Sequence, residues 1–483
     1  MRPLLFLLFC LFFISHTIGQ TSKAIYADKS NTIKSLESKA DHYADIAMQI
    51  WDLAELGFLE HKSIELLINE LEAAGFAIET GVAGMPTAFI AEWGSGGPII
   101  GMLAEYDALP GMSQAPVPVQ KAREEGKPGH ACGHHMFGTA SVAGAIATKE
   151  WLEQSGTQGT IRLYGTPAEE GGGAKVFMVR SGLFDDVDAV LTWHPGDRNA
   201  SSPRSTLSAI GAKFTFTGKA SHAAKFPERG RSALDGVEAM NDMVNLMREH
   251  IPQESRIHYS IEYGGGAPNV VPAKAVVSYI IRHPDMPTVK DLLRRVRLAA
   301  DGAAVGTETS VSMEIQTGYF NIMPNMVLSK LVHDNLSLVG GVVYTNEDIE
   351  FANVINESFK VKVDPGIAQK VMDYDPDPNV TSASTDVGDI SWVVPTTSLS
   401  AATWVPGTSP HSWQAVAAGG MDIGMKGMMV AAKAMAISAM ELFNNPDLLQ
   451  AARQELHEKV GPGFKYEALI GDIDPPLEFR VGY

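Results

Sequence analysis

The segment Gly129-His130-Ala131-Cys132-Gly133-His134-His135 packs three histidines and a cysteine around two glycines. A thiolate and an imidazole two residues apart can reach one zinc- or manganese-class ion across a tight glycine turn. Further along, Gly165-Thr166-Pro167-Ala168-Glu169-Glu170-Gly171-Gly172-Gly173 sets two carboxylates side by side. Adjacent carboxylates repel, so holding both at a strand end calls for a cation or a proton. One of the pair can ligate metal while its neighbour acts as general base toward water. Two more imidazoles stand in Trp193-His194-Pro195, at the end of an apolar run, and in Ser409-Pro410-His411-Ser412, in a polar stretch. Singly each is an ordinary edge or loop residue; together they offer S, N and O donors that suit zinc and manganese alike. The chain contains no Gly-x-Ser-x-Gly elbow, no P-loop, no Gly-x-Gly-x-x-Gly after a strand and no His-Glu-x-x-His. A Cys/His nucleophile built on Cys132 is the remaining alternative to metal chemistry.

These residues need elements to hold them. Helical spacing runs from about Ser30 to Gly75, through Ile33, Leu36, Ile46, Ile50, Leu53, Ile64, Leu67 and Leu71. Short apolar strands are expected at Thr87–Trp93, Ile99–Leu103, Thr160–Tyr164 and Ala189–Trp193. Helices are expected near Thr139–Gln154 and from Ala174. That alternation predicts an α/β layer architecture with a mostly parallel sheet, whose strand ends are the usual place for a site. From Ser208 to about Gly318 the pattern changes to strand Ala212–Phe216, helix Ala233–His250, strands Ile257–Tyr263 and Ala275–Ile281, helix Val289–Ala304 and strand Ser310–Gln316. The order βαββαβ is that of a ferredoxin-like module. It interrupts the main domain, which resumes near Phe320 and ends in Gly- and Met-rich helical sequence from Gly419 to Phe443. The expected division is 1–19, 20–207, 208–318 and 319–483.

The 483 residues are 45% hydrophobic and 19% charged, an ordinary globular composition at a length that suggests two or three domains. Net charge is −18 and no Lys/Arg-rich block appears, which argues against a nucleic-acid partner. Arg2, the apolar run Leu4–Ile14 and the small residues Thr17 and Gly19 read as a signal peptide cleaved near Gly19–Gln20. The run is too short for a comfortable membrane span, so an exported (periplasmic or secreted) chain without stable membrane association is expected. A lipoprotein anchored through Cys10 is disfavoured by the bulk of Phe9. Cleavage removes Cys10 and leaves Cys132 alone, so no intrachain disulfide can form. A lone thiol in an oxidising compartment must be buried or ligated.

Taken in order, His130–His134, Pro167–Gly171 and His194 resemble the metal-binding segments of the M20 metallopeptidase and amidohydrolase family, in its carboxypeptidase and N-acyl-amino-acid amidohydrolase branch. Gly218–Ala223 and Gly265–Pro272 are similar to its lid-domain motifs. Ala104–Gly111 and Ser384–Asp389 resemble a subgroup acting on p-aminobenzoyl-glutamate-type substrates. The resemblance spans nearly the whole mature chain. It implies a catalytic α/β domain with two divalent metals, zinc or manganese, and an inserted lid that also mediates dimerisation. Carried over, the metal ligands are Cys132, His134, Glu170, His194 and His411, with Glu169 as general base. His222 (from the partner subunit), Asn269 and Arg282 are implied to stabilise the oxyanion or clasp a substrate carboxylate. The implied reaction is hydrolysis of an amide bond next to a carboxylate, by a homodimer or by a heterodimer with a related subunit. The alternatives are a dipeptidase or carboxypeptidase on the same site, and a non-catalytic exported binding protein. One departure stands out: His135 follows the second ligand where many members of the branch have Asp, which leaves the orientation of that ligand open.

Overall fold

The computed structural model describes residues 26–482, so the expected leader and its cleavage point lie outside the described residues. In chain order the strands are β1 (Ala77–Thr80), β2 (Phe89–Ser95), β3 (Ile99–Ala104), β4 (Gly159–Gly165), β5 (Ala189–Gly196), β6 (Arg204–Ser205), β7 (Ser208–Thr217), β8 (Arg256–Tyr263), β9 (Lys274–His283), β10 (Ser310–Tyr319), β11 (Asn379–Val380) and β12 (Thr396–Ala402). The central sheet has the order β1-β2-β4-β3-β5-β12. β4, β3, β5 and β12 run parallel, while β1 and β2 form an antiparallel hairpin on one side. Parallel strands are covered on both faces, and Ile100, Met102, Leu103, Ile161, Leu163, Val190 and Leu191 are buried accordingly. The helix His134–Ser155 packs on this sheet and against the helix Asp422–Asn444. The latter is apolar enough to cross a membrane by length and composition, but 89% of its most apolar window is buried inside the fold. It is a core helix, hydrophobic all round because it is covered all round.

The second sheet has the order β10-β7-β9-β8 and is antiparallel throughout. With the helices Ala233–Met247 and Met286–Gly306 it gives the βαββαβ order of a ferredoxin-like unit inserted into the α/β fold. Both helices start on a side-chain cap: Ser232 accepts from Asp235 N, and Asp285 from Thr288 N. Their apolar faces, with Val237, Met240, Val289, Leu292 and Val296, bury Phe214, Phe216, Val277 and Ile281 of the sheet. On the other face Ile280 and Tyr263 are exposed, while on the edge strand β8 Tyr259 and Ile261, opposite Tyr279 and Val277, extend the helix-side face beyond the cover of the helices.

Local departures from the sequence pattern have local causes. The helical stretch Ser30–Gly75 divides into 26–38, Ala40–Leu53 and His61–Ala73, with a turn at Lys39 and a second break after Leu53, where Ala54 turns left-handed at φ 44°. The expected helix Thr139–Gln154 begins five residues earlier, at His134, directly after Gly133 at φ 77°. β12, with the sequence Thr-Thr-Ser-Leu-Ser-Ala-Ala, has no counterpart among the expected strands: its small and hydroxyl side chains give no aliphatic strand signal, yet it pairs in parallel with β5.

One buried acid ties the first helical layer to the loop that follows β4. Glu60 is fully buried, accepting from Thr87 Oγ1 at 2.8 Å and from Ala168 N at 2.9 Å. Burial, then the Asp107 charge, push its carboxyl from 4.5 up to about 8. The folded chain therefore keeps a proton that the unfolded chain releases, and the associated stability is present below about 4.5 and lost as pH rises through about 8. Glu60→Gln should flatten the dependence of Tm on pH across that window. Glu60→Ala, which orphans the Ala168 N–H, should cost about 1–3 kcal/mol at every pH in a denaturant titration.

Candidate metal centre

Three parallel strands end side by side, and each delivers acids or a histidine. β3 leads into Glu105 and Asp107, β4 into Glu169 and Glu170, and β5 contains His194 near its end. This is where open α/β sheets place their sites. Cys132 and His134 come from the crossover between β3 and β4. Gly133 between them is left-handed, and a Cβ there would fall 2.8 Å from Pro195 Cβ, so only glycine lets this turn pass the end of β5. His411 arrives from the loop after β12, its backbone N–H donating to Ala131 O at 2.9 Å.

The donor atoms of Cys132, His134 and His194 lie within 4.8 Å of one another, as do those of Cys132, Glu170 and His411. Cys132 is common to both groups. A third group, Glu105, His134 and Glu169, meets the same limit. Hydrogen bonds aim the rings. His134 Nδ1 donates to Asp107 Oδ1 at 2.8 Å, which frees Nε2 for the centre. His194 Nδ1 donates to Pro195 O at 2.7 Å and leaves Nε2 3.5 Å from Cys132 Sγ. His411 Nε2 lies 2.9 Å from Glu170 Oε1. Asp107 works in both directions, because its Oδ2 also accepts from Glu170 N at 2.9 Å. Behind the loop, Arg480 donates to Glu170 O at 2.8 Å.

The chemistry of this donor set fits divalent metal. His134 Nε2 and Glu105 Oε2 face each other at 3.2 Å, both buried and neither in a well-formed hydrogen bond, an arrangement that a divalent cation among these donors would satisfy. Burial, then the charges of Glu105 and Glu170, push the half-buried Glu169 carboxyl well above its usual range. Burial likewise pushes the Cys132 thiol up, with His134 opposing it. Burial lowers the pKa of His134, but the Cys132, Asp107 and Glu105 charges outweigh it and hold the ring well above its usual value. Each shift is the signature of negative charge without enough positive charge beside it, and a bound dication reverses that logic.

The five expected ligands and Glu169 are thus brought together, and Cys132, Glu169, Glu170, His194 and His411 line one cavity of about 460 Å³. Arg282 of β9 reaches its rim, donating from Nη1 to Ser384 Oγ at 3.3 Å. His222 and Asn269 are not brought there. Both are exposed on the inserted unit, with His222 bridging to Val270 and Asn269 O accepting from Ala223 N at 3.0 Å. His135 points away from the ligands: it is fully buried, with Nε2 2.9 Å from Gly419 O and its ring against His130. Asp107, not residue 135, supplies the carboxylate behind His134.

Sequence reasoning did not single out Glu105, Asp107, Lys175 or Asp386 as site residues. Lys175 is fully buried and pairs with Glu105 and Asp386 at 2.7 Å each. The available signal was Glu105-x-Asp107 immediately after an apolar strand, the same strand-end placement that flagged Glu169 and Glu170.

Residues 204–308 match the family model of the peptidase dimerisation domain. The chain is 42% identical over 452 residues to one of the subunits of p-aminobenzoyl-glutamate hydrolase from Escherichia coli (strain K12), covering 88% of this chain and 94% of the relative. It is 28% identical to the Xaa-Arg dipeptidase of Mus musculus, covering 89% and 93%. Among solved structures, a dinuclear metal-binding peptidase of the M20 family from Bacillus subtilis matches with a TM-score of 0.58 at 16% identity, over 84% of this chain and 99% of the other, a likeness of fold.

The hydrogen bonds of Asp107 set an expectation separate from the ligands themselves. Asp107→Ala should keep the fold by circular dichroism and lower divalent-metal affinity by about 10–100-fold in a competitive chelator titration. Affinity equal to that of the parent would remove Asp107 from the centre.

Proposed function

Because the chain belongs to the M20 peptidase family, we propose that it hydrolyses the amide bond of N-acyl amino acids next to their carboxylate, with p-aminobenzoyl-glutamate-type compounds as substrates. The observation that carries this reading is the pair of three-donor groups sharing Cys132, with Glu169 beside them in one cavity. When bound, two divalent ions, zinc or manganese, supply Lewis acidity toward the amide carbonyl and lower the pKa of water toward about 7. Cys132, His134 and His194 would hold one, and Cys132, Glu170 and His411 the other. Glu169 takes the proton of the attacking water and returns it to the leaving amine. Arg282 offers a planar fork to the substrate carboxylate from the rim. His222 of a second copy and Asn269 complete the oxyanion pocket, which agrees with their exposed position on a dimerisation-type domain. The assembly is a homodimer or a heterodimer with a related subunit, and the mature chain is exported. A dipeptidase reading draws on the likeness to the Xaa-Arg dipeptidase. A panel of p-aminobenzoyl-glutamate, hippurate-like amides and dipeptides separates the two by relative kcat/KM.

Glu169→Gln should retain metal by elemental analysis yet lose about 10²–10⁴ in turnover, whereas Glu170→Gln should lose metal. The opposite pattern would exchange their roles. For the homodimer, His222→Ala and Glu169→Gln should each be nearly inactive alone. Refolded together in equal amounts, half of the dimers are mixed and each has one intact site, so about a quarter of parental activity should return. Demonstrated subunit exchange without recovery would put His222 outside the neighbouring protomer's site.

A further inference from the structure

The cavity wall opposite the ligand cluster is made from segments outside the central sheet. β6 pairs in parallel with β11. The ladder continues as Thr381 N donates to Ser205 O and Leu207 N to Ala383 O, each at 2.9 Å. Ile322 closes the wall: its carbonyl accepts from Ser205 Oγ at 2.7 Å and its N–H donates to Thr206 Oγ1 at 3.0 Å. The backbone of this wall is held in place by its own bonds, so the side chains on it are presented from a fixed frame.

Arg204 is one of them. It lines the same cavity as Cys132, Glu169 and His411. Among the described residues its guanidinium has no hydrogen-bond or ion-pair partner, unlike Arg162 with Glu92 and Asp186, or Arg231 with Glu308. Arg282 approaches the same wall through Ser384, which lines the cavity. One cavity is therefore served by two guanidinium groups from different chain segments, with the hydroxyl residues Ser202, Thr381 and Thr385 also in its lining. A single carboxylate occupies one fork, and a second fork with no protein acceptor suits a second anionic group.

We propose that Arg204 forms a second anion subsite and that the substrates are N-acylated dicarboxylic amino acids. Arg282 takes the carboxylate next to the scissile amide, and Arg204 takes the side-chain carboxylate. This rests on the amidohydrolase reading above and assigns recognition of the second carboxylate to one residue.

The test compares p-aminobenzoyl-glutamate with p-aminobenzoyl-glutamine, which match in shape and differ in one charge. The metal-loaded parent should favour the glutamate compound in kcat/KM. Arg204→Gln should shrink the ratio of the two by about 10–100-fold, through KM rather than kcat, as expected for one charge-assisted pair of about 1.5–3 kcal/mol. Arg204→Lys should restore part of the preference. In parallel, calorimetry on metal-loaded Glu169→Gln protein should show glutarate binding more tightly than butyrate, with the gap closing when Arg204→Gln is added. Turnover of neither amide by the parent would overturn the amidohydrolase reading, and the glutarate titration would still judge the subsite. Turnover with a glutamate-to-glutamine ratio that Arg204→Gln leaves unchanged, or equal binding of glutarate and butyrate, would overturn the subsite and leave the hydrolase standing.

Discussion

Lys175 is a fully buried ammonium held between Glu105 and Asp386 at 2.7 Å each, with Glu169 also close enough to act on it. Burial lowers the pKa of such a group, but here the Asp386, Glu105 and Glu169 charges win and it remains charged. The acids do not gain as much in return. Burial pushes Glu105 and Asp386 up despite the lysine beside them, and Glu169 more so. Lys175 and the His134 ring together do not balance that many carboxylates in a place where desolvating each costs several kcal/mol. The strand ends are thus built with a standing deficit of positive charge, and the geometry of the centre follows from how that deficit is met.

Placement is the first consequence. Like charges can be gathered only where rigid elements hold them, and β3, β4 and β5 fix the starting points to within one loop each. The loops are then fastened from outside. Glu60 takes Ala168 N–H just before the two glutamates, Asp107 takes Glu170 N–H, and Arg480 donates to Glu170 O from the far end of the chain. Ala168 itself is left-handed at φ 51°, a strained setting for a residue with a side chain, held by these neighbours. Asp107 shows the balance well. Burial alone would push its carboxyl up, but His134 and the Glu170 N–H hold it below the usual range, so it stays an acceptor on both.

Most of this was legible in the sequence wherever a residue type is rare or a pattern is periodic. The Cys/His segment and the glutamate pair stood out because clustered thiol and imidazole and adjacent carboxylates are costly to place without a use, whereas His194 and His411 gained meaning only beside them. The apolar strands and the βαββαβ order stood out by periodicity. What stayed hidden were residues whose role depends on a distant partner. Nothing around Lys175 marks it as buried, since its acceptors lie 70 residues before it and more than 200 after it. β12 was hidden because a strand that completes a parallel sheet beside β5 can be built from small and hydroxyl side chains. His135 shows the reverse case. Its place after His134 left the orientation of that ring open, but the first turn of a helix sends consecutive side chains in different directions, and His135 turns away toward Gly419 O while His134 faces the donor cluster.

The same charge deficit bears on what can enter the cavity. The chain carries a formal charge of −18, and the inner end of the cavity is lined by Glu105, Glu169 and Glu170. An anionic substrate would be repelled from such a place, because low-dielectric walls leave the field unscreened where bulk salt would damp it over about 10 Å. Two features oppose this. Divalent cations held at the inner end would convert the acids from a repulsive patch into part of a neutralised cluster. At the outer wall Arg204 and Arg282 present positive charge on segments whose own backbone bonds are already complete. With positive charge at both ends of one cavity and Glu169 between them, the cavity would have an axis suited to a substrate that is anionic at one end and polarisable at the other. An N-acyl amino acid has that shape, with its carboxylate toward the arginines and its amide carbonyl toward the cluster. Binding of such a substrate would then depend on cations at the inner end, because the acids there repel an anion unless positive charge offsets them.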